Sequence, residues 1–132
     1  MAFDDRYARA LIKKARRGFS GYPVATIAYY GPDDSRATKV AVGIIMADGE
    51  DAAELQRWFS ERADVRHDSG VQRAMLAFIR AQGAQSIAMG EGIMGCPHEE
   101  GVDYPDGTTC PQCPFWASHE RPIGKLVRRS TS

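Results

Sequence analysis

Apolar positions between residues 7 and 15 recur at helical spacing. Tyr7, Leu11 and Ala15, with Ala8 and Ile12 beside them, predict an amphipathic helix opened by Asp4 or Asp5 and stopped at Gly18. The period then changes. Val24 to Tyr30 and Thr38 to Met46 are β-rich runs, and the intervening GPDDS carries the proline, glycine and aspartates of a hairpin connection. In the second run Val40, Val42 and Ile44 alternate with Lys39, Ala41 and Gly43, so one strand face is apolar and the other small, with something expected to pack closely over Gly43.

Helical spacing returns at Asp51. A helix is predicted over 51–63 with Leu55, Trp58 and Phe59 as its buried stripe. Another is predicted from an Asp68 or Ser69 cap to Gly83, with Val71, Met75, Phe78 and Ile79 inward. Val65 between them reads as a short strand or a plug in the core. A third strand is expected over Gln85 to Met89, followed by Gly90, Gly92 and Gly95 as a flexible entry to the next segment. That glycine-rich run is a poor phosphate loop, since it has no lysine of the Walker type and no helix start after it. The expected fold is α+β: a small mixed sheet, a β-hairpin plus a third strand, covered by three helices. Strand order does not follow from periodicity.

The segment after residue 95 has a different character. Cys96 and His98, then Cys110 and Cys113, fall within eighteen residues and use every cysteine of the chain. Each pair is close enough in sequence to grip one ion from a single bend, and Tyr104-Pro105-Asp106-Gly107 reads as a β-turn that folds one pair onto the other. Three thiolates and an imidazole complete a tetrahedral shell, the ligand count of a structural zinc site rather than a catalytic one with an open position. Such a site contributes roughly 10 to 16 kcal/mol that is also folding free energy. A disulfide with a spare thiol is the competing reading and fits an odd cysteine count poorly. His119 is the reserve ligand. His67, next to a helix cap, reads as a surface residue.

His98, Glu99 and Glu100 also match half of the zinc deaminase signature, and Cys110 to Cys113 the other half. On that alternative the protein is a small zinc-dependent hydrolase or deaminase-like enzyme with Glu99 or Glu100 as proton shuttle. The nine residues between Glu100 and Cys110 are too few for the helix and strand that separate those halves, and Thr109 stands where the signature has proline. Pro114 after the last cysteine replaces the glycine of the commonest zinc knuckle and suits the first turn of a helix continued by Phe115, Trp116, Ala117 and Ser118. That arrangement resembles a treble-clef-like finger.

The run GCPHEEGVDYPDGTTCPQCPFW, about a sixth of the chain, resembles one found in short uncharacterised bacterial proteins, and YPVATIAYYGPDDSRATKVAVGII does so more loosely. The resemblance implies a bacterial zinc-binding protein, with the same four ligands, and no activity.

Composition changes the picture little. The 132 residues make one ordinary domain, which buries about two-thirds of the surface exposed by its unfolded chain. The division expected is an α+β core over 1–95, a zinc-binding finger over 96–119 packed on it, and a mobile tail over 120–132. With 17 basic and 17 acidic residues, the net charge argues for neither nucleic acid nor an anionic membrane. Locally the first helix has a basic face, and the tail is basic through Lys125, Arg128 and Arg129. No apolar run is long enough for a membrane span or a secretory signal, so a cytoplasmic location is expected, in keeping with free thiolates.

The leading expectation is therefore a zinc-stabilised binding module for a protein or nucleic acid. Tyr104, Phe115 and Trp116 would anchor the partner, and Lys13, Lys14, Arg16 and Arg17 would supply phosphate contacts if it is a nucleic acid. Tyr7, Phe19, Tyr22 and Tyr29 are alternatively a stacking surface or core residues. Redox cycling of the CPQC thiols is a third possibility.

Overall fold

A computed structural model of the chain describes residues 6–60 and 63–117. In chain order the elements are α1 (Arg6–Arg16), β1 (Val24–Tyr30), β2 (Lys39–Ile45), β3 (Glu54–Phe59), a 3-10 turn over Val65–His67, α2 (Ser69–Ala81), β4 (Ser86–Ile93) and the single-turn α3 (Pro114–Ala117). The Asp4 or Asp5 cap, Ser118, His119 and the 120–132 tail lie outside the described residues.

The fold is α+β, as expected, around one four-stranded sheet of order β3-β2-β1-β4. β1 and β2 form the expected antiparallel hairpin, with Ile27 opposite Val42. β4 pairs parallel to β1, which makes the sheet mixed and settles the strand order. One sheet face is the core. Val40, Val42 and Ile44 are fully buried with Ile27, Leu11, Met75 and Ile79; each such side chain stabilises the fold by about 1.5–3 kcal/mol relative to exposure.

α2 begins as predicted: the Asp68 carboxylate accepts the Val71 amide at 3.1 Å, the N-cap bond that satisfies a first-turn donor. Met75 and Ile79 face inward, joined by Leu76 and by the buried amide of Gln72. Gln72 Nε2 donates to the Val65 carbonyl at 2.9 Å and to Tyr29 Oη at 3.3 Å. Val65 is the core plug, on a 3-10 turn rather than a strand. Burial of Tyr29, and the packing of Tyr7 against the same core, remove both from the stacking surface. Phe19 and Tyr22 remain as an edge-to-face pair 5.2 Å apart.

The helix expected over 51–63 is instead strand β3, which completes the sheet edge beside β2. Side chains on a strand alternate, so only Trp58 of the expected stripe packs on the core, meeting Phe78 edge-on at 5.9 Å. Leu55 and Phe59 project to the other face and are largely exposed. The expected third helix cover is therefore absent among the described residues, and α1 and α2 form the helical layer.

Gly43 has the expected close cover. A Cβ there would lie 3.0 Å from Thr26 Oγ1 and 3.3 Å from the Ala52 methyl. The glycine run after Met89 is not a loose entry: β4 continues through Gly90 and Gly92 to Ile93, with a register shift opposite Ile27 and Tyr29. Positive φ at Gly92 accommodates that bulge.

Candidate metal centre

Four ligand side chains arrive from two directions. Cys96 and His98 leave the end of β4, which is held to the sheet by Met94 N–H donating to the Tyr29 carbonyl at 2.7 Å and Gly31 N–H donating to the Gly95 carbonyl at 2.8 Å. Cys110 and Cys113 immediately precede α3, whose Pro114 start agrees with the expectation for that residue. The loop between them is reversed by two turns. Asp103 N–H donates to the Glu99 carbonyl at 2.7 Å, and Thr108 N–H to that of Pro105 at 3.2 Å. The second turn is thus shifted one residue from the predicted one, because Gly107 with φ +79° occupies the position that requires positive φ.

These turns bring all four donor atoms within 4.8 Å of one another. His98 Nδ1 is 3.3 Å from Cys96 Sγ, 3.4 Å from Cys110 Sγ and 3.5 Å from Cys113 Sγ. One imidazole nitrogen has a single lone pair or a single hydrogen, so it cannot hydrogen-bond three sulfurs at once. The convergence is that of a ligand set able to surround one cation. For a tetrahedral ion with metal–sulfur bonds of about 2.3 Å and a metal–nitrogen bond of about 2.0 Å, nitrogen–sulfur edges come to about 3.5 Å. The group is positioned to hold a metal ion through Nδ1 and three thiolates.

The surroundings suit a thiolate site. All three cysteines are free and buried. Burial pushes the Cys96 thiol up, and burial together with the neighbouring Cys96 and Cys110 sulfurs pushes the Cys113 thiol up. The His98 amide also donates to Cys96 Sγ at 3.3 Å, a bond that stabilises a thiolate.

The finger is locked to the sheet by residues read from sequence as surface anchors. Trp116 is 5% exposed and its Nε1–H donates to the Gly31 carbonyl at 2.7 Å; Tyr104 is 5% exposed and lies in the same buried cluster. Neither is available to a partner. Their aromatic faces are consumed by docking the finger on the core, while Phe115 is half-buried against Trp116. Of the proposed basic contacts, Lys14 straps α1 to the chain before β4 by donating to the Ala84 carbonyl at 2.9 Å, and Lys13, Arg16 and Arg17 stand apart from the metal site on or just after α1.

The two glutamates of the alternative reading have structural partners. Glu99 Oε1 lies 2.8 Å from Arg57 Nη2 and 3.7 Å from Lys39 Nζ, and Glu100 Oε2 accepts the Gly107 amide at 2.7 Å. Both carboxylates are thus engaged by groups outside the ligand set. His67 is exposed on the 3-10 turn, as expected.

Beside the ligand loop opens a cleft of about 680 Å3 between the β2–β3 edge and residues 97–113, walled by Lys39, Arg57, Phe59, His98, Glu99 and Val102. Sequence reading missed it, together with the inward turn of Lys39. One charge at the head of the otherwise apolar KVAVGII run was the available signal. Comparison of the chain with protein-family models, with curated proteins and with solved structures finds no match.

Proposed function

We propose that this protein is a zinc-stabilised binding module, with one zinc held by Cys96, His98, Cys110 and Cys113 and a protein partner received on the surface beside it. The convergence of three sulfurs on His98 Nδ1 carries the reading. Soft thiolate donors with one imidazole in tetrahedral array favour zinc over the oxygen-seeking divalent cations. The full shell gives the ion a scaffolding role: it pins the two half-sites together and presents the 97–113 loop as one wall of the cleft.

The partner surface supported by the fold is the rim of that cleft. Phe59 is 63% and Val102 76% exposed, on opposite walls, with Arg57 between them paired to Glu99. Apolar lips around a floor of balanced charge suit a peptide segment with both apolar and polar side chains better than a phosphate backbone.

Metal analysis with X-ray absorption at the zinc edge tests the core of the proposal. One zinc per chain with three sulfur neighbours and one nitrogen is expected, and Cys96→Ser should lose both the metal and the ordered finger. A chain that purifies compact and without bound metal, or a shell containing oxygen from water, would overturn it.

A further inference from the structure

Lys39 is the only charged residue among those described that is buried, at 5% exposed. Its Nζ donates at 3.0 Å to the carbonyl of Pro97, the residue between ligands Cys96 and His98. The ammonium also sits 5.3 Å from the centre of the Tyr30 ring and 5.8 Å from that of Phe59. A lysine removed from water costs several kcal/mol unless something nearby compensates its charge. Its nearest carboxylate is a poor match. Glu99 lies 3.7 Å away and approaches Arg57 more closely, at 2.8 Å.

The charges balance once the metal centre is counted. A divalent ion with three thiolates and a neutral imidazole carries one net negative charge. Arg57 and Glu99 cancel each other, and Arg36 and Asp103 add one further cation and one further anion to the same cleft, which leaves Lys39 and the metal centre as the remaining positive and negative members of the cluster. We infer that Lys39 is the counter-charge and positioning residue of the metal centre: it holds the 96–98 ligand loop by the Pro97 carbonyl and raises the site's affinity for a divalent ion carried by three thiolates.

The inference rests on the Cys3His reading above and deepens it. It also assigns Glu99 a role opposite to that of a proton shuttle, as a competitor that draws on the same cation.

The test is a set of competition titrations of the full chain against a chromophoric chelator, with zinc and with cobalt(II) as the probes. Lys39→Met should weaken zinc binding by about 10- to 100-fold, the usual cost of losing a supporting contact around a metal site. Its cobalt-loaded form should keep the absorption of a tetrahedral three-thiolate centre, because the ligands are unchanged. Lys39→Arg, which retains the charge, should recover most of the affinity. Glu99→Gln should tighten binding several-fold, since it removes a negative charge that competes for Lys39; a lysine that served packing alone would leave this variant unchanged or weaker.

Lys39→Met with parental affinity would overturn the inference. If that variant fails to fold, Glu99→Gln decides: unchanged or weakened binding overturns the role. Absence of the thiolate absorption bands in the parent protein would instead refute the Cys3His reading itself, and the inference with it.

Discussion

Gly31 is the point where the sheet, the ligand loop and the helix of the finger meet, and Gly31→Ala is the sharpest single test of that architecture. An added Cβ would fall 1.8 Å from the Arg36 carbonyl oxygen and 2.9 Å from its carbon, both backbone atoms that no rotamer change can move aside. Relief requires displacement of the 32–36 loop or of Gly31 itself. The second route stretches two bonds: Gly31 N–H to the Gly95 carbonyl at 2.8 Å, and Trp116 Nε1–H to the Gly31 carbonyl at 2.7 Å. Overpacking at a rigid site costs about 1–3 kcal/mol and each weakened buried hydrogen bond about another 1 kcal/mol, so a loss of about 3–5 kcal/mol is expected. For a domain of this size that corresponds to a fall in Tm of about 10–20 °C. The measurement is thermal unfolding at saturating zinc, paired with a zinc affinity titration, which should show weaker binding because both halves of the ligand set are tied to this residue. Gly49→Ala serves as the control. Its surroundings are open and only its φ of +78° opposes a side chain, so about 1 kcal/mol is expected there. A Gly31→Ala protein melting within about 4 °C of the parent, or no lower than the control, would refute the reasoning.

Three further outcomes are expected. Zinc affinity should rise with pH: each of the three thiols must give up a proton to bind the ion, and burial pushes the Cys96 and Cys113 thiols up from the ordinary value, so three displaced protons imply up to about a 1,000-fold gain per pH unit between pH 6 and 8. A chelator titration giving the same constant at both ends of that range would contradict this. Asp64 should contribute to an acid-sensitive part of the stability. Burial acts to raise its carboxyl, but the Arg66 guanidinium and the amides of Ala37 and Arg66 hold it below the ordinary value. Its contribution is therefore present above the unfolded pKa of about 3.9 and lost as pH falls through the native one. Urea midpoints of Asp64→Asn should lie below the parent's at neutral pH and converge with them in acid; a constant gap would count against the assignment. On β3, Leu55→Ser should change stability by no more than about 0.5 kcal/mol, whereas Trp58→Ala should cost about 2 kcal/mol or more by urea unfolding. The reverse order would restore a helix whose stripe buries Leu55.

The legible parts of the fold are those whose cause is local. Alternation in β1 and β2, the Asp68 cap of α2 and the spacing of four metal-binding side chains each express a short-range constraint. β3 hid because it is an edge strand wet on both faces. With Leu55 and Phe59 outward and only Trp58 inward, its apolar residues fall at intervals of three and one, and this imitates a helical stripe. Tyr104 and Trp116 were read as exposed because a finger taken alone has no interior. Their burial depends on docking against Gly31, which lies 85 residues before Trp116, and no local pattern carries that information. The burial of Lys39 is hidden for the same reason. A charged residue on a strand face of small side chains looks solvated until the ligand loop closes over it.

The parallel pairing of β1 with β4 has a consequence during synthesis. β1 emerges from the ribosome well before the strand that will cover one of its edges, since Val24 must find Ser86 across two intervening strands and a helix. A growing polypeptide can close the hairpin as soon as β2 appears, but the other hydrogen-bonding edge of β1 stays open until β4 is translated, and the four candidate metal ligands arrive later still. Low-affinity self-association in that interval is the hazard of such a topology. A metal captured there would act as a latch, closing a segment that is made only after the sheet on which it docks.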